Sequence, residues 1–145
     1  MERSLVLIKP DGMQRGLAAT IISRLEKQGF KLVAIKMLKL DKTLAQQLYA
    51  PHKDKPFFNN LVTSITSAPI VAAIFEEKEA IGLIRKAMGE TDPAKAEGGT
   101  IRRDFGLDIE RNTIHGSDSI ETARREIKLF FSDNEIFDYQ RRTTS

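Results

Sequence analysis

The order of apolar patterns along the chain predicts an α+β fold, a split βαβ sheet covered by helices. Short apolar runs suited to buried strands stand at Leu5–Ile8 and Ile70–Phe75, and an alternating pattern suited to a strand with one buried face runs over Lys31–Leu40. Segments with helical spacing separate them, and a last candidate strand ending near His115 leads into one more helix. With 145 residues and no internal repeat or linker, the chain predicts a single domain over 1–145. A chain of that size buries roughly two thirds of its unfolded surface in one core.

Each element has a local cause. Leu5-Val6-Leu7-Ile8 is a continuous apolar run bounded by Pro10 and Gly12, so it reads as a buried strand that delivers Lys9 into a turn. Leu17, Ile21 and Leu25 then recur at four-residue spacing, with Ile22 widening the stripe and Gly29 as the stop. In Lys31–Leu40, Val33, Ile35 and Met37 alternate with residues that include Lys36, which predicts a strand with one face better buried than the other. Asp41 is suited to cap a short helix carrying Leu44 and Leu48, and Pro51 and Pro56 frame the loop after Tyr49. A helix from about Phe57 places Leu61 and Ile65 on one face, and Pro69 closes it before the strand Ile70–Phe75.

From Lys78 to Met88 the spacing of Ile81, Ile84 and Met88 predicts a helix ending at Gly89. A long irregular stretch reaching past Gly106 follows, and loops of that length in small domains are commonly functional. Asp118, with Glu121 three residues on, reads as the cap of the last helix, which lines up Ile120, Ala123, Ile127 and Phe130. From Ser132 onward the chain reads as a polar tail.

Composition narrows the chemistry. Lys and Arg number 23 against 20 Asp and Glu, so the formal charge is only +3 despite a pI of about 9.2, and no polybasic arm marks a nucleic-acid tail. The absence of cysteine excludes disulfides, thiolate catalysis and Cys-ligated metals, and two histidines leave little room for other metal centres. The first apolar run is too short for an export signal, and nothing approaches the roughly 18 uninterrupted apolar residues of a membrane span. A cytoplasmic protein without membrane attachment is the expectation.

His115 sits where a strand gives way to Gly116-Ser117-Asp118-Ser119. Taken alone, a histidine at a strand end is more often structural. A neutral imidazole is nevertheless a competent nucleophile toward phosphorus, and its ordinary pKa of about 6.5 leaves most of it uncharged at neutral pH. Ser117 can hydrogen-bond nearby, and Glu126 on the following helix can fold back to fix the other ring nitrogen. The reading shifts because Lys9, Arg85, Thr91, Arg102 and Asn112 all fall at ends of predicted elements. Phosphoryl transfer needs mainly positioning and neutralisation of oxygens, and cations with hydroxyl and amide donors around one nucleophile supply that.

Phe57, beside Phe58 after Pro56, is suited either to core packing or to stacking on a nucleobase, which tolerates any base. Tyr49 ends the preceding helix, where its hydroxyl could support Lys9 or His115. Asp104-Phe105-Gly106 matches a protein-kinase metal triplet, but the chain lacks that fold's other landmarks. There is no P-loop, and His52 reads as an exposed, noncatalytic loop residue.

Asn112-Thr113-Ile114-His115-Gly116-Ser117-Asp118-Ser119 closely resembles the active-site signature of the nucleoside diphosphate kinases. Leu7-Ile8-Lys9-Pro10-Asp11-Gly12, Lys55-Pro56-Phe57-Phe58, Met88-Gly89-Glu90-Thr91-Asp92-Pro93 and Gly99-Thr100-Ile101-Arg102 look like that family's other landmarks, in its order and over nearly the whole chain. The resemblance implies a ferredoxin-like βαββαβ antiparallel sheet with helices packed on it. It also implies a ping-pong transfer of the γ-phosphate of a nucleoside triphosphate to a nucleoside diphosphate through a phosphohistidine at His115. By matching position, Lys9, Arg85, Thr91 and Arg102 would bind phosphates, Asn112 with Lys9 the sugar, and Phe57 the base. Tyr49, Ser117 and Glu126 would support them. Mg2+ would be held by the nucleotide phosphates, and the subunits would form a hexamer or tetramer.

Arg103 stands where that family generally has Gly, and Gly98-Gly99 replaces the more usual Pro-Gly or Thr-Gly. An extra cation there would tighten nucleotide binding or pair with a neighbouring acid. Competing readings are a noncatalytic ferredoxin-like module binding single-stranded nucleic acid, and a phosphohistidine phosphatase. The distributed landmarks, Phe57 and Asn112 favour nucleotide acceptors, with nucleic-acid binding weak at most.

Overall fold

A computed structural model describes residues 1–142; the end of the expected polar tail, 143–145, lies outside them. Strands β1 (Glu2–Ile8), β2 (Lys31–Leu38), β3 (Ile70–Glu77) and β4 (Ile114–Gly116) form one sheet in the order β2-β3-β1-β4, with every neighbouring pair antiparallel. Helices α1 (Pro10–Gln14) and α2 (Ala18–Lys27) link β1 to β2, and α3 (Lys42–Leu48) and α4 (Phe58–Ile65) link β2 to β3. Then α5 (Ala80–Met88) and α6 (Ile101–Phe105) lead to β4, and α7 (Ile120–Phe130) follows it. This is the βαββαβ ferredoxin-like arrangement, in which each βαβ unit is split by a strand of the other.

The central strands are uninterrupted apolar runs because both faces are covered. Leu5, Leu7, Ala72 and Ile74 pack with Leu48, Val62, Ile65 and Phe130 from α3, α4 and α7. The alternate residues Val6, Ile8, Ala73 and Phe75 pack with Ile21, Leu25, Ile84 and Met88 from α2 and α5. The two-residue period of the strand thus builds two cores from one sequence run.

Several expectations are corrected. A register shift between Leu32 and Ala34 makes Val33 a bulge residue, so the alternation slips by one. Val33 and Ala34 are both buried, whereas Ile35 and Met37 lie on the uncovered side at 50% and 65% exposure. Pro10, whose missing N–H is harmless at a first helical position, starts the short α1 where only a turn was expected. The last helix is capped by Ser119, whose Oγ accepts from Thr122 N at 3.0 Å, and not by Asp118; Ile120 points outward.

The stretch after Gly89 is not irregular throughout, since Pro93–Lys95 forms a 3₁₀ turn and α6 follows. Nor does the polar tail trail away. Phe137 N donates to Val33 O at 2.9 Å and Lys31 Nζ to Tyr139 O at 2.7 Å, which lays the tail along the open edge of β2. Among the described residues no helix is long and apolar enough to cross a membrane.

Candidate active site

Lys9 follows directly on β1, and its backbone N–H donates to Thr113 O at 2.8 Å, bringing the end of β1 against the chain entering β4. Its ammonium is buried and donates to Asn112 Oδ1 at 2.8 Å and Glu110 O at 3.0 Å. Burial lowers its pKa to about 8; the nearby Asp11 charge opposes that fall and Arg102 assists it. A lysine so desolvated gains most from a fresh anion.

His115 lies in β4 opposite Leu7, so its side chain projects to the face covered by α7. There the Glu126 carboxylate, 2% exposed, sets Oε2 at 3.0 Å from His115 Nε2. Its other oxygen accepts from Ser117 Oγ at 2.7 Å, and Ser117 Oγ accepts from Leu5 N at 3.1 Å. A carboxylate only accepts, so Nε2 carries the ring proton and the lone pair is left on Nδ1. Gly116 lets this strand approach α5, since a Cβ there would lie 2.5 Å from Met88 Sδ.

Arg102, at the start of α6, is 8% exposed and donates to Gly89 O at 3.1 Å and Ile114 O at 2.8 Å. Burial, and secondarily the Arg85 charge, lowers its pKa to about 10. Its Nε is buried with no hydrogen-bond partner among the described residues. Like charges converging on an unmatched buried donor are what an anion site requires. Thr91 joins through its carbonyl, which accepts from Asn112 Nδ2 at 3.1 Å.

Of the residues picked from the sequence, all but Ser117 line one cavity of about 610 Å³. Ser117 is fully buried behind it. Phe57 stands at the rim, 46% exposed, its ring centroid 5.7 Å from that of His52. His52 is exposed as expected, yet it also lines the cavity. Tyr49 is buried, and desolvation with the Glu126 charge pushes its phenol well above the usual range. Among the described residues no hydrogen bond joins its hydroxyl to Lys9 or His115.

Two lining residues carried no signal in the sequence. Arg125 donates to Gln47 O at 2.8 Å and Leu48 O at 3.2 Å, capping the orphan carbonyls at the end of α3 and holding Tyr49 in place. Ile109 sits in a loop where an isolated apolar residue has no periodicity to betray it. Among the described residues Arg103 neither lines the cavity nor pairs with an acid: it is exposed and donates to Ala94 O at 3.0 Å, bracing the 3₁₀ turn. The neighbouring Asp104 pairs instead with Arg24 at 2.6 Å.

Among the described residues no group of three or more His, Asp or Glu is placed to hold a metal. The cavity is lined by Lys9, Arg85 and Arg102 with Thr91 and Asn112 beside them, so it fits a polyanion, and a cation would enter on that anion's own oxygens.

Residues 2–136 match the family model described as nucleoside diphosphate kinase. A nucleoside diphosphate kinase of Dehalococcoides mccartyi is 57% identical over 142 residues, covering 98% of this chain and all of that protein. One from Archaeoglobus fulgidus is 53% identical over 141 residues, covering 97% and 93%. Among solved structures, a halophilic nucleoside diphosphate kinase from Halobacterium salinarum in complex with CDP superposes with a TM-score of 0.93 at 48% identity, covering 97% of this chain and 93% of that one. The Aquifex aeolicus enzyme gives 0.92 at 40% identity, covering 94% and 99%. Sequence, fold and cavity therefore agree, and the chain belongs to the nucleoside diphosphate kinases, phosphotransferases that act on nucleoside di- and triphosphates and generally work with a divalent cation.

Proposed function

We propose that residues 1–145 form one catalytic domain in which His115 Nδ1 is the phosphoryl carrier, and that the substrates are nucleotides of broad base range, ribo and deoxy. The observation that carries this reading is the fixed imidazole: Glu126 accepts from Nε2 at 3.0 Å within a cavity lined by Lys9, Arg85 and Arg102. In the first half-reaction the Nδ1 lone pair attacks the γ-phosphorus of a nucleoside triphosphate. The bond from that phosphorus to the β,γ-bridging oxygen breaks, and the diphosphate leaves with the electron pair. In the second, a β-phosphate oxygen of another diphosphate attacks the same phosphorus, and the P–N bond breaks back to the neutral ring.

Arg102, Arg85, Thr91 and Lys9 hold and neutralise phosphate oxygens, with the Arg102 fork suited to paired contacts. Asn112 and Lys9 contact the sugar. Phe57 stacks on the base, and because every base offers a π-face the range is broad. Glu126 stabilises the charge that the ring gains on phosphorylation. Mg2+, carried on the nucleotide's phosphates, neutralises part of their charge. The enzyme works as a homo-oligomer, hexamer or tetramer, in the cytoplasm, without membrane attachment and with at most weak affinity for nucleic acid. Light scattering gives the subunit number, and nucleic-acid titration with and without competing nucleotide checks the last point.

The test is brief incubation with γ-labelled ATP and Mg2+. The expected product is acid-labile, base-stable labelled protein that GDP discharges as labelled GTP. Labelling that persists in His115→Ala contradicts the assignment.

A further inference from the structure

Thr113, fully buried between Asn112 and His115, has a φ of 78°, the only positive value outside glycine among the described residues. For a β-branched residue this is a genuine outlier, and such a conformation persists only where its surroundings over-determine it. Ile114 N donates to Asn112 O at 2.9 Å, closing a three-residue γ-turn with Thr113 at its centre. The segment after β1 clamps that turn. Thr113 O accepts from Lys9 N at 2.8 Å, and Thr113 Oγ1 donates to Asp11 Oδ2 at 3.0 Å. Its methyl packs over Gly12, where a Cβ would stand 3.0 Å from Thr113 Cγ2.

The turn has a geometric result on each side. Before it, the Asn112 side chain is aimed back at Lys9 Nζ, 2.8 Å away. After it, the chain re-enters β4 one residue later and presents His115 to Glu126. A residue with an ordinary negative φ at this point would swing the peptide joining Asn112 to Ile114 and separate the two groups.

We infer that Thr113 is a positioning residue: its γ-turn, held by the Asp11 carboxylate and the Lys9 peptide, fixes the Lys9–Asn112 pair against His115 so that a nucleotide's sugar is registered to the nucleophile. The inference rests on the sugar contact and phosphohistidine proposed above. Thr113 touches no substrate group itself; it acts through Asn112 and the strand carrying His115.

The test compares single-turnover phosphorylation of the full-length protein by ATP and by 2′,3′-dideoxy-ATP, which lacks the sugar hydroxyls, both with Mg2+. Thr113→Val keeps the branching and loses the hydroxyl, Thr113→Ser keeps the hydroxyl, and Asp11→Ala removes the partner from a half-buried site. The expected result is that Thr113→Val slows the ATP reaction about tenfold, the scale of one charge-assisted hydrogen bond, and the dideoxy reaction by less than about threefold. Thr113→Ser restores the ATP rate. Asp11→Ala shows the same split, and because Asp11 also supports the Lys9 ammonium, the double variant Thr113→Val with Asp11→Ala is no slower than Asp11→Ala alone, the Thr113 hydrogen bond being already lost there. Equal slowing with both nucleotides, no slowing, or additive losses in the double variant overturns the inference. Unphosphorylated wild-type protein, or wild-type rates equal for the two nucleotides, would overturn the underlying reading and this inference with it.

Discussion

Glu126 faces His115 across 3.0 Å from a site almost wholly shut off from solvent, and its second oxygen is bound at 2.7 Å by Ser117. That hydroxyl in turn receives the Leu5 N–H, so the imidazole's orientation is anchored in the central strand of the sheet. Glu126→Gln keeps the shape but replaces the carboxylate with an amide that no longer stabilises a charged ring. Phosphorylation of His115 should slow about a hundredfold to a thousandfold, with nucleotide affinity little changed. Stopped-flow phosphorylation against nucleotide concentration separates the two.

Ser117→Ala removes the acceptor for the buried Leu5 N–H as well as a Glu126 partner. Leaving a buried donor unmatched costs about 1–3 kcal/mol. Urea unfolding should show that loss, with a smaller effect on turnover than Glu126→Gln.

Lys9, whose pKa burial lowers to about 8, should take up protons when nucleotide binds. The sign follows from charge: phosphate favours the ammonium form, so the bound pKa is higher than the free one and protons flow to the protein. Near pH 8 uptake from Lys9 approaches about half a proton per site, and near pH 6.5 it vanishes because Lys9 is already charged. Titration calorimetry in buffers of different ionisation enthalpy measures it, and Lys9→Arg should abolish the uptake near pH 8.

Phe57, exposed at the rim, contributes little to the core. Phe57→Ala should weaken binding of adenine, guanine and cytosine nucleotides alike by about 1–3 kcal/mol and shift folding stability by only about 0.5 kcal/mol. Competition binding with the three diphosphates checks this.

The sequence made most of the frame, and most residues of the candidate site, legible because strong local signals coincided with them. Leu5–Ile8 and Ile70–Phe75 read correctly as strands since both their faces are buried. Lys9, Arg85 and Arg102 stood out in the sequence because they sit at element ends, and the fold brings them into one cavity with His115. What stayed hidden depended on contacts distant in the chain. The Val33 bulge arises from pairing with β3, so no local pattern reveals that Ile35 and Met37 face outward. Asp118 and Ser119 are equally good caps by residue type, and the extended backbone at Ser119 decides between them. Arg125 gains meaning only when α7 meets the end of α3. The turn at Thr113 is invisible in the sequence because a threonine gives no sign of a positive φ.

The most direct measurement identifies which ring nitrogen carries the label. Protein phosphorylated by γ-labelled ATP is hydrolysed in alkali, and its phosphohistidine is separated against the two isomeric standards. With Nε2 held by Glu126, the label is expected on Nδ1 of His115 and on no other residue. Label on Nε2, or on a residue other than His115, contradicts the account.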